Sequence, residues 1–216
     1  MALYYDEIFT SIQGESTSTG LPTTFVRLFG CDIGCVYCDQ PQYEENKKKI
    51  LPEQLVKKVE ELKCKRICIT GGEPLAQKEV YSVIYDLVNK GYEVSIETSG
   101  CVPILEDPYT RSFRYVMDIK CPSSGVSEKN IFENLLLLQS KDEVKFVVSD
   151  RTDYEFFLNT MTKYPTTAKI IISPVITEED GIYSHKVGSE LVQWLIEDKL
   201  WDIRIGYQLH KVLSVK

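Results

Sequence analysis

Long hydrophobic runs are absent from this chain of 216 residues. No stretch approaches the roughly 20 apolar residues that cross a bilayer. The opening residues, MALYYDEIFTSIQGES, lack a basic segment followed by an apolar one, so no secretory leader and no membrane partner are expected. An excess of positive charge is missing too. The net charge is −7 and the sequence pI about 5.0, which argues against a non-specific nucleic-acid binder, because such a protein presents a basic face. Internal repeats, low-complexity tracts and Gly/Pro/Ser-rich linkers are also lacking. One domain over residues 1–216 is therefore expected, and a hydrophobic content of 43% is enough to build its core.

Cysteine, by contrast, is well supplied. There are seven, an odd number that suits a disulfide framework poorly and points to a reducing, cytoplasmic setting. Three of them, Cys31, Cys35 and Cys38, stand in the run CDIGCVYC. With this cysteine content, two more at preset offsets from a given one is an event of the order of one in a thousand. A structural zinc site wants four ligands, and the fourth would have to be Cys64, Cys68, Cys101 or Cys121. Cys68 lies in an apolar run and reads as core. A 4Fe–4S cluster also takes four thiolates when complete, so three leave one iron open to an outside ligand.

The surrounding pattern alternates strand and helix. Strands are predicted at 24–30, 66–70, 92–98, 113–120, 143–149, 168–175 and 201–210. Helices are predicted at 50–62, 77–91, 127–139, 150–164 and 185–198. Leu51, Leu55, Val59 and Leu62 would share the buried face of the first helix, and Asp150 would cap the fourth. Lys47–Lys49 read as a solvated loop or helix start. Such alternation implies right-handed βαβ units, and about six parallel strands make an α/β partial barrel. In barrels of this kind the chemistry sits after the C-terminal ends of the strands. The candidate residues fall there: Cys31, the run Gly71-Gly72-Glu73-Pro74, Glu97 with Thr98, Asp118 with Lys120, and His210 on the last strand.

The C-x-x-x-C-x-x-C loop with Tyr37 before its last cysteine resembles the signature of radical S-adenosylmethionine (SAM) enzymes. Gly71-Gly72-Glu73-Pro74, one βα unit later, resembles their second motif. More narrowly, FTSIQGEST (9–17), PTTFVRLFGC (22–31), CDQP, ETSG (97–100), DIKCPSSG (118–125) and QLHK (208–211) together resemble the 7-carboxy-7-deazaguanine synthase family from residue 9 to residue 211.

The resemblance implies an abbreviated barrel, a homodimer and a flavodoxin- or ferredoxin-like electron donor. It implies a 4Fe–4S cluster on Cys31, Cys35 and Cys38. SAM cleaved at that cluster would give a 5′-deoxyadenosyl radical, which takes hydrogen from carbon 6 of 6-carboxy-5,6,7,8-tetrahydropterin. Ring contraction and loss of ammonia then give 7-carboxy-7-deazaguanine, on the route to queuosine. Carried over by position, Tyr37, Cys38, Asp39, Gly72, Glu97, Ser99, Asp118 and Lys120 would lie on the SAM side. Ile12, Gln13, Gly14, Glu15, Arg27, Thr70, His210 and the carboxylate of Lys216 would lie on the substrate side.

The residue types suit these roles. Gln13 and Glu15 can pair with an amide-like ring edge, and Arg27 can grip a carboxylate with two parallel hydrogen bonds. Other roles stay open: Arg27 as a structural ion-pair partner, Glu15 as a surface acid, His210 as a satisfied core residue. The family carries Thr or Ser after Cys-Asp, where it helps to hold magnesium. Here that residue is Gln40, whose carbonyl can ligate the ion or whose amide can replace it. Two other readings compete: a radical SAM activase of a glycyl-radical enzyme, and a zinc-stabilised interaction module.

Overall fold

The computed structural model describes residues 1–40, 42–106, 111–179, 182–184 and 187–216. In chain order the strands and helices are β1 (Leu3–Ile12), β2 (Pro22–Leu28), β3 (Lys48–Ile50), α1 (Pro52–Glu61), β4 (Arg66–Gly71), α2 (Val80–Asn89), β5 (Glu93–Thr98), β6 (Phe113–Ile119), β7 (Glu143–Val148), α3 (Arg151–Lys163), β8 (Lys169–Pro174), β9 (Thr177–Glu179), β10 (Ile182–Ser184), α4 (Gly188–Glu197), β11 (Arg204–Ile205) and α5 (Leu209–Val212).

Nine strands form one sheet in the order β11-β8-β7-β6-β5-β4-β2-β1-β3, and β9 pairs with β10 as a separate hairpin. Six parallel ladders join the seven strands from β2 to β11. β1 runs antiparallel to β2, and β3 antiparallel to β1. The expected partial barrel is thus present, with one parallel strand more than the predicted six or so. Each parallel step moves to the next position in one direction. Right-handed crossovers in a single direction deliver the connections to one face of a sheet and leave the other open for a site.

The two faces of the strands show this division. Val26, Ile67, Ile69, Ile96, Met117, Val144, Phe146 and Ile172 are buried in the apolar core. Residues in the alternate register are Arg27, Thr70, Glu97, Asp118, Lys145 and Ser173, and all six line a cavity. Because side chains alternate along a strand, an apolar set and a polar set can share the same strands without mixing. Fully burying each core aliphatic side chain contributes about 1.5–3 kcal/mol.

Several predicted elements differ. Residues 127–139 form no α-helix, only 3₁₀ turns at Ser127–Lys129 and Phe132–Leu136. Two asparagines explain it. Asn130 binds the backbone N–H and C=O of Lys120, and Asn134 accepts from Ile104 N and donates to Val102 O. Side chains that bind backbone this way compete with the helix. The predicted last strand shrinks to β11, and His210 stands on α5 rather than on a strand. In α1 the buried residues are Leu55, Val56 and Val59, while Leu51 and Leu62 are exposed. Lys48 and Lys49 belong to the edge strand β3, and α2 begins at Val80, after a 3₁₀ turn at Pro74–Ala76. The helix expected from residue 185 begins at Gly188, and His185 lies outside the described residues. Asp150 does cap α3, its side chain accepting from Asp153 N at 3.0 Å.

Candidate active site

Every residue assigned from the sequence to the cluster, SAM or substrate lines one cavity of about 300 Å³ at the C-terminal ends of the parallel strands, whereas Glu73 and Pro74 of the Gly-Gly-Glu-Pro run do not. The three-cysteine loop leaves β2 and forms one wall. Cys31 and Cys38 are exposed, Cys35 is half-buried, and none is in a disulfide. The loop is held from outside itself. Gly30 N donates to Gln42 Oε1 at 2.5 Å while Gln42 Nε2 donates to Leu28 O at 3.0 Å. Val36 N donates to Ser124 O at 3.0 Å, and Lys129 Nζ donates to Ile33 O at 2.6 Å. Burial pushes the Cys35 thiol above its ordinary range, and Lys120 opposes that shift.

The Gly-Gly-Glu-Pro run sits directly against this loop. Glu73 N donates to Gly30 O at 2.9 Å. A Cβ on Gly72 would lie 2.1 Å from Gly30 O and 2.7 Å from Cys31 Cβ, so only glycine allows the contact. The Glu73 carboxylate is buried rather than presented to the cavity. It accepts from Leu75 N (2.9 Å), Thr98 Oγ1 (2.9 Å), Ser99 N (2.7 Å) and Ser99 Oγ (2.5 Å). One side chain thereby fixes the loop after β4 to the loop after β5.

Across the floor runs a connected set of polar groups. Glu97 accepts from Thr70 Oγ1 at 2.9 Å and from Gln13 Nε2 at 3.1 Å. Asp118 pairs with Lys120 at 2.9 Å and with Lys145 at 3.2 Å. Burial alone would raise the Asp118 carboxyl, but Lys120 and Lys145 outweigh it and hold the group below the usual range. Burial would lower the Lys145 ammonium, but Asp118 and Glu15 outweigh it and raise the group well above the usual lysine range.

The C-terminal segment closes the other side. Leu209 N donates to Gly14 O at 2.9 Å, and a Cβ on Gly14 would fall 1.8 Å from His210 Nδ1, so the ring packs directly on that glycine. Asp39 accepts from Lys211 Nζ at 3.0 Å and Gln208 Nε2 at 3.3 Å. Arg27 Nε donates to Glu7 at 3.1 Å, and Lys216 Nζ pairs with the same carboxylate. The Phe9 and Phe25 rings stack at 5.2 Å on the same cavity wall.

Sequence reasoning missed Phe9, Phe25, Lys145, Gln208 and Lys211 as cavity residues. Gln208 and Lys211 flank His210 in the QLHK run and were findable there. Lys145 sits in the apolar run EVKFVVS as its one inward-facing cation, a signal open to the same alternation argument. Phe9 lies on β1, a strand the sequence reading left unassigned.

Among the described residues no three His, Cys, Asp or Glu side chains converge on a single-ion site. That arrangement suits a closed structural zinc site, which takes four such ligands, poorly. It does not disfavour a 4Fe–4S cube, which takes each thiolate at a different corner. Three free thiols on a braced loop that lines the cavity therefore fit the cluster.

The Radical SAM superfamily model matches residues 26–108. A 7-carboxy-7-deazaguanine synthase from Koribacter versatilis is 37% identical over 96% of this chain and 95% of its own length. One from Methanospirillum hungatei is 38% identical over 97% of this chain and 84% of its own length. The chain belongs to the 7-carboxy-7-deazaguanine synthase family. The crystal structure of QueE from Escherichia coli shares its fold, with a TM-score of 0.73 at 20% identity, covering 95% of this chain and 93% of that one. Streptococcus suis SuiB, solved bound to S-adenosylmethionine, is a more distant fold neighbour with a TM-score of 0.57 at 10% identity, covering 81% of this chain and 47% of that one. Membership of the synthase family over nearly the whole length displaces both the activase and the zinc-module readings.

Proposed function

We propose that this chain is a radical SAM carbon–nitrogen lyase that converts 6-carboxy-5,6,7,8-tetrahydropterin to 7-carboxy-7-deazaguanine with loss of ammonia. We read residues 1–216 as one domain. The observation that carries the reading is one cavity in which the three-cysteine loop meets both the SAM-side and the pterin-side residues. When bound, a 4Fe–4S cluster and SAM supply hydrogen-atom abstraction by a carbon-centred radical.

The chain's own residues bind and orient. Cys31, Cys35 and Cys38 hold the cluster. Backbone at Gly72, fixed by its contact with the cluster loop, meets the methionine amino group. Asp118, Lys120, Glu97, Ser99, Tyr37 and Asp39 border the rest of SAM. Arg27, oriented through Nε by Glu7, grips the pterin carboxylate. Gln13 and Glu15 pair with the polar ring edge, Phe9 and Phe25 offer apolar surface to a planar ring, and Ile12, Gly14, Thr70, His210 and Lys216 complete the wall. Cys31 and Cys38 are exposed, which gives an external one-electron donor of flavodoxin or ferredoxin type a route to the cluster. Val192, Ile196 and Trp201 are exposed apolar side chains on and after α4, and a second copy covering them would make the homodimer.

Magnesium has no place in this reading. Gln40 lines the cavity, but neighbouring Asp39 is engaged by Lys211 and Gln208. Magnesium is usually bound through one or two carboxylates together with waters, and Asp39, the carboxylate next to Gln40 in the chain, is already paired.

The test is anaerobic reconstitution with iron and sulfide, reduction, and addition of SAM and 6-carboxytetrahydropterin. Mass spectrometry should detect 7-carboxy-7-deazaguanine, at the same rate within about twofold when magnesium is omitted. Formation of 5′-deoxyadenosine without the deazaguanine would refute the substrate assignment and keep the radical chemistry.

A further inference from the structure

Lys145 is one of the cations that line the cavity. It projects from β7, its side chain is 12% exposed, and it touches carboxylates from two different parts of the chain. Its Nζ lies 2.5 Å from Glu15 Oε2, on the loop after β1, and 3.2 Å from Asp118 Oδ1, on β6. Each of those carboxylates has a further partner. Gln208 Nε2 donates to Glu15 Oε1 at 2.7 Å, and Lys120 Nζ pairs with Asp118 Oδ2 at 2.9 Å. In the functional reading above, on which this inference rests, Glu15 faces the pterin and Asp118 faces SAM.

We infer that Lys145 is a positioning residue that couples the two ligand sites, so that SAM and the pterin each bind more tightly when the other is present. The physical basis is a shared charge. Lys145 divides one buried ammonium between Glu15 and Asp118. A ligand donor that engages Asp118 takes over part of its neutralisation and leaves Lys145 to pair more fully with Glu15. Glu15 is then held more firmly when the second ligand arrives. Burial keeps solvent and salt from screening the link. Because coupling is reciprocal, the pterin must favour SAM by the same factor.

The chemistry also separates Lys145 from its neighbours. Without Lys145, Asp118 keeps Lys120. Glu15 keeps Gln208, a neutral donor, so the direct path between the two carboxylates is cut while each side retains a partner.

The experiment measures binding rather than turnover. Oxidised, cluster-reconstituted protein is titrated calorimetrically with SAM, with 6-carboxytetrahydropterin, and with each in the presence of saturating amounts of the other. The wild type should show mutual tightening of about tenfold, within the usual range of site-to-site coupling. Lys145→Met should bring that factor to about one, and Lys145→Arg should restore part of it. Glu15→Gln cuts the same link from the other end, so it gives a second route if Lys145→Met does not fold. The double variant should lose no more coupling than either single variant. Unchanged coupling in Lys145→Met or Glu15→Gln, or independent binding of the two ligands to the wild type, would overturn the inference alone. Failure of the wild type to bind the pterin at all would overturn the functional reading and the inference together.

Discussion

At the scale of single residues, two substitutions separate cluster, cofactor and substrate. Cys35→Ala removes the middle thiolate of the cluster loop. The variant should fold, because Gln42, Lys129 and Ser124 brace the loop independently of the thiol. It should lose the broad absorbance near ~400 nm expected of a 4Fe–4S centre, and all turnover with it. Wild-type turnover would disprove the cluster assignment. Arg27→Ala removes a charged partner for the pterin carboxylate. Charge-assisted hydrogen bonds contribute about 1.5–3 kcal/mol, so substrate affinity should fall about 10- to 100-fold with SAM affinity unchanged. Equal losses for both ligands would mean that Arg27 serves the Glu7 ion pair and the fold instead.

The candidate site was largely legible at this scale, since every residue assigned to the cluster, SAM or substrate lines the cavity. Their packing was less so. Glu73 looked like the start of a helix, yet it is a buried acceptor for four hydrogen bonds. Nothing local in Gly-Gly-Glu-Pro says that its donors come from residues 98 and 99.

At the scale of elements, α3 offers a clean test of local chemistry. Asp150 satisfies a free N–H of its first turn, and Asp150→Ala should cost about 1 kcal/mol by urea denaturation, with no change in ligand affinity. A loss below a few tenths would show that packing of Tyr154 and Phe157 alone holds the helix. The predicted helices with strong apolar periodicity, α1, α2, α3 and α4, all formed. The stretch at 127–139 has as many leucines as any of them and did not, because Asn130 and Asn134 bind the backbone of distant loops. β1 escaped notice for a different reason. Asp6 and Glu7 interrupt its alternation, and a bulge between Tyr5 and Glu7 shifts its register. That shift sets Glu7 opposite Arg27, where it orients the guanidinium.

At the scale of the whole molecule, the charges across the sheet set a pH window for stability. The Asp118 carboxyl is lowered from an ordinary value of 3.8 in the fold, so its contribution is present above that value and is lost as pH falls through the folded one. The Lys145 ammonium is raised from an ordinary value of 10.5, so its contribution is present below that value and is lost as pH rises through the folded one. Urea midpoints should therefore drop on both sides of a plateau. Asp118→Asn should flatten part of the acid limb, and Lys145→Met part of the alkaline limb. An acid limb identical to the wild type in Asp118→Asn would show that other carboxylates, such as Asp39 and Glu7, carry it.

The sequence by itself determined the fold class and the chemistry. Alternating apolar periods dictate strands and helices, and three thiols at fixed offsets, with Gly-Gly-Glu-Pro one βα unit later, carry the resemblance that implies a cluster. Both are properties of local spacing. Only the tertiary structure decided which charges meet. Glu15, Asp118 and Lys145 lie far apart in the chain, and their contact depends on strand order and register, which bring β6 and β7 side by side and fold the loop after β1 over them. Pairings of that kind depend on where distant segments pack, and no local pattern encodes that.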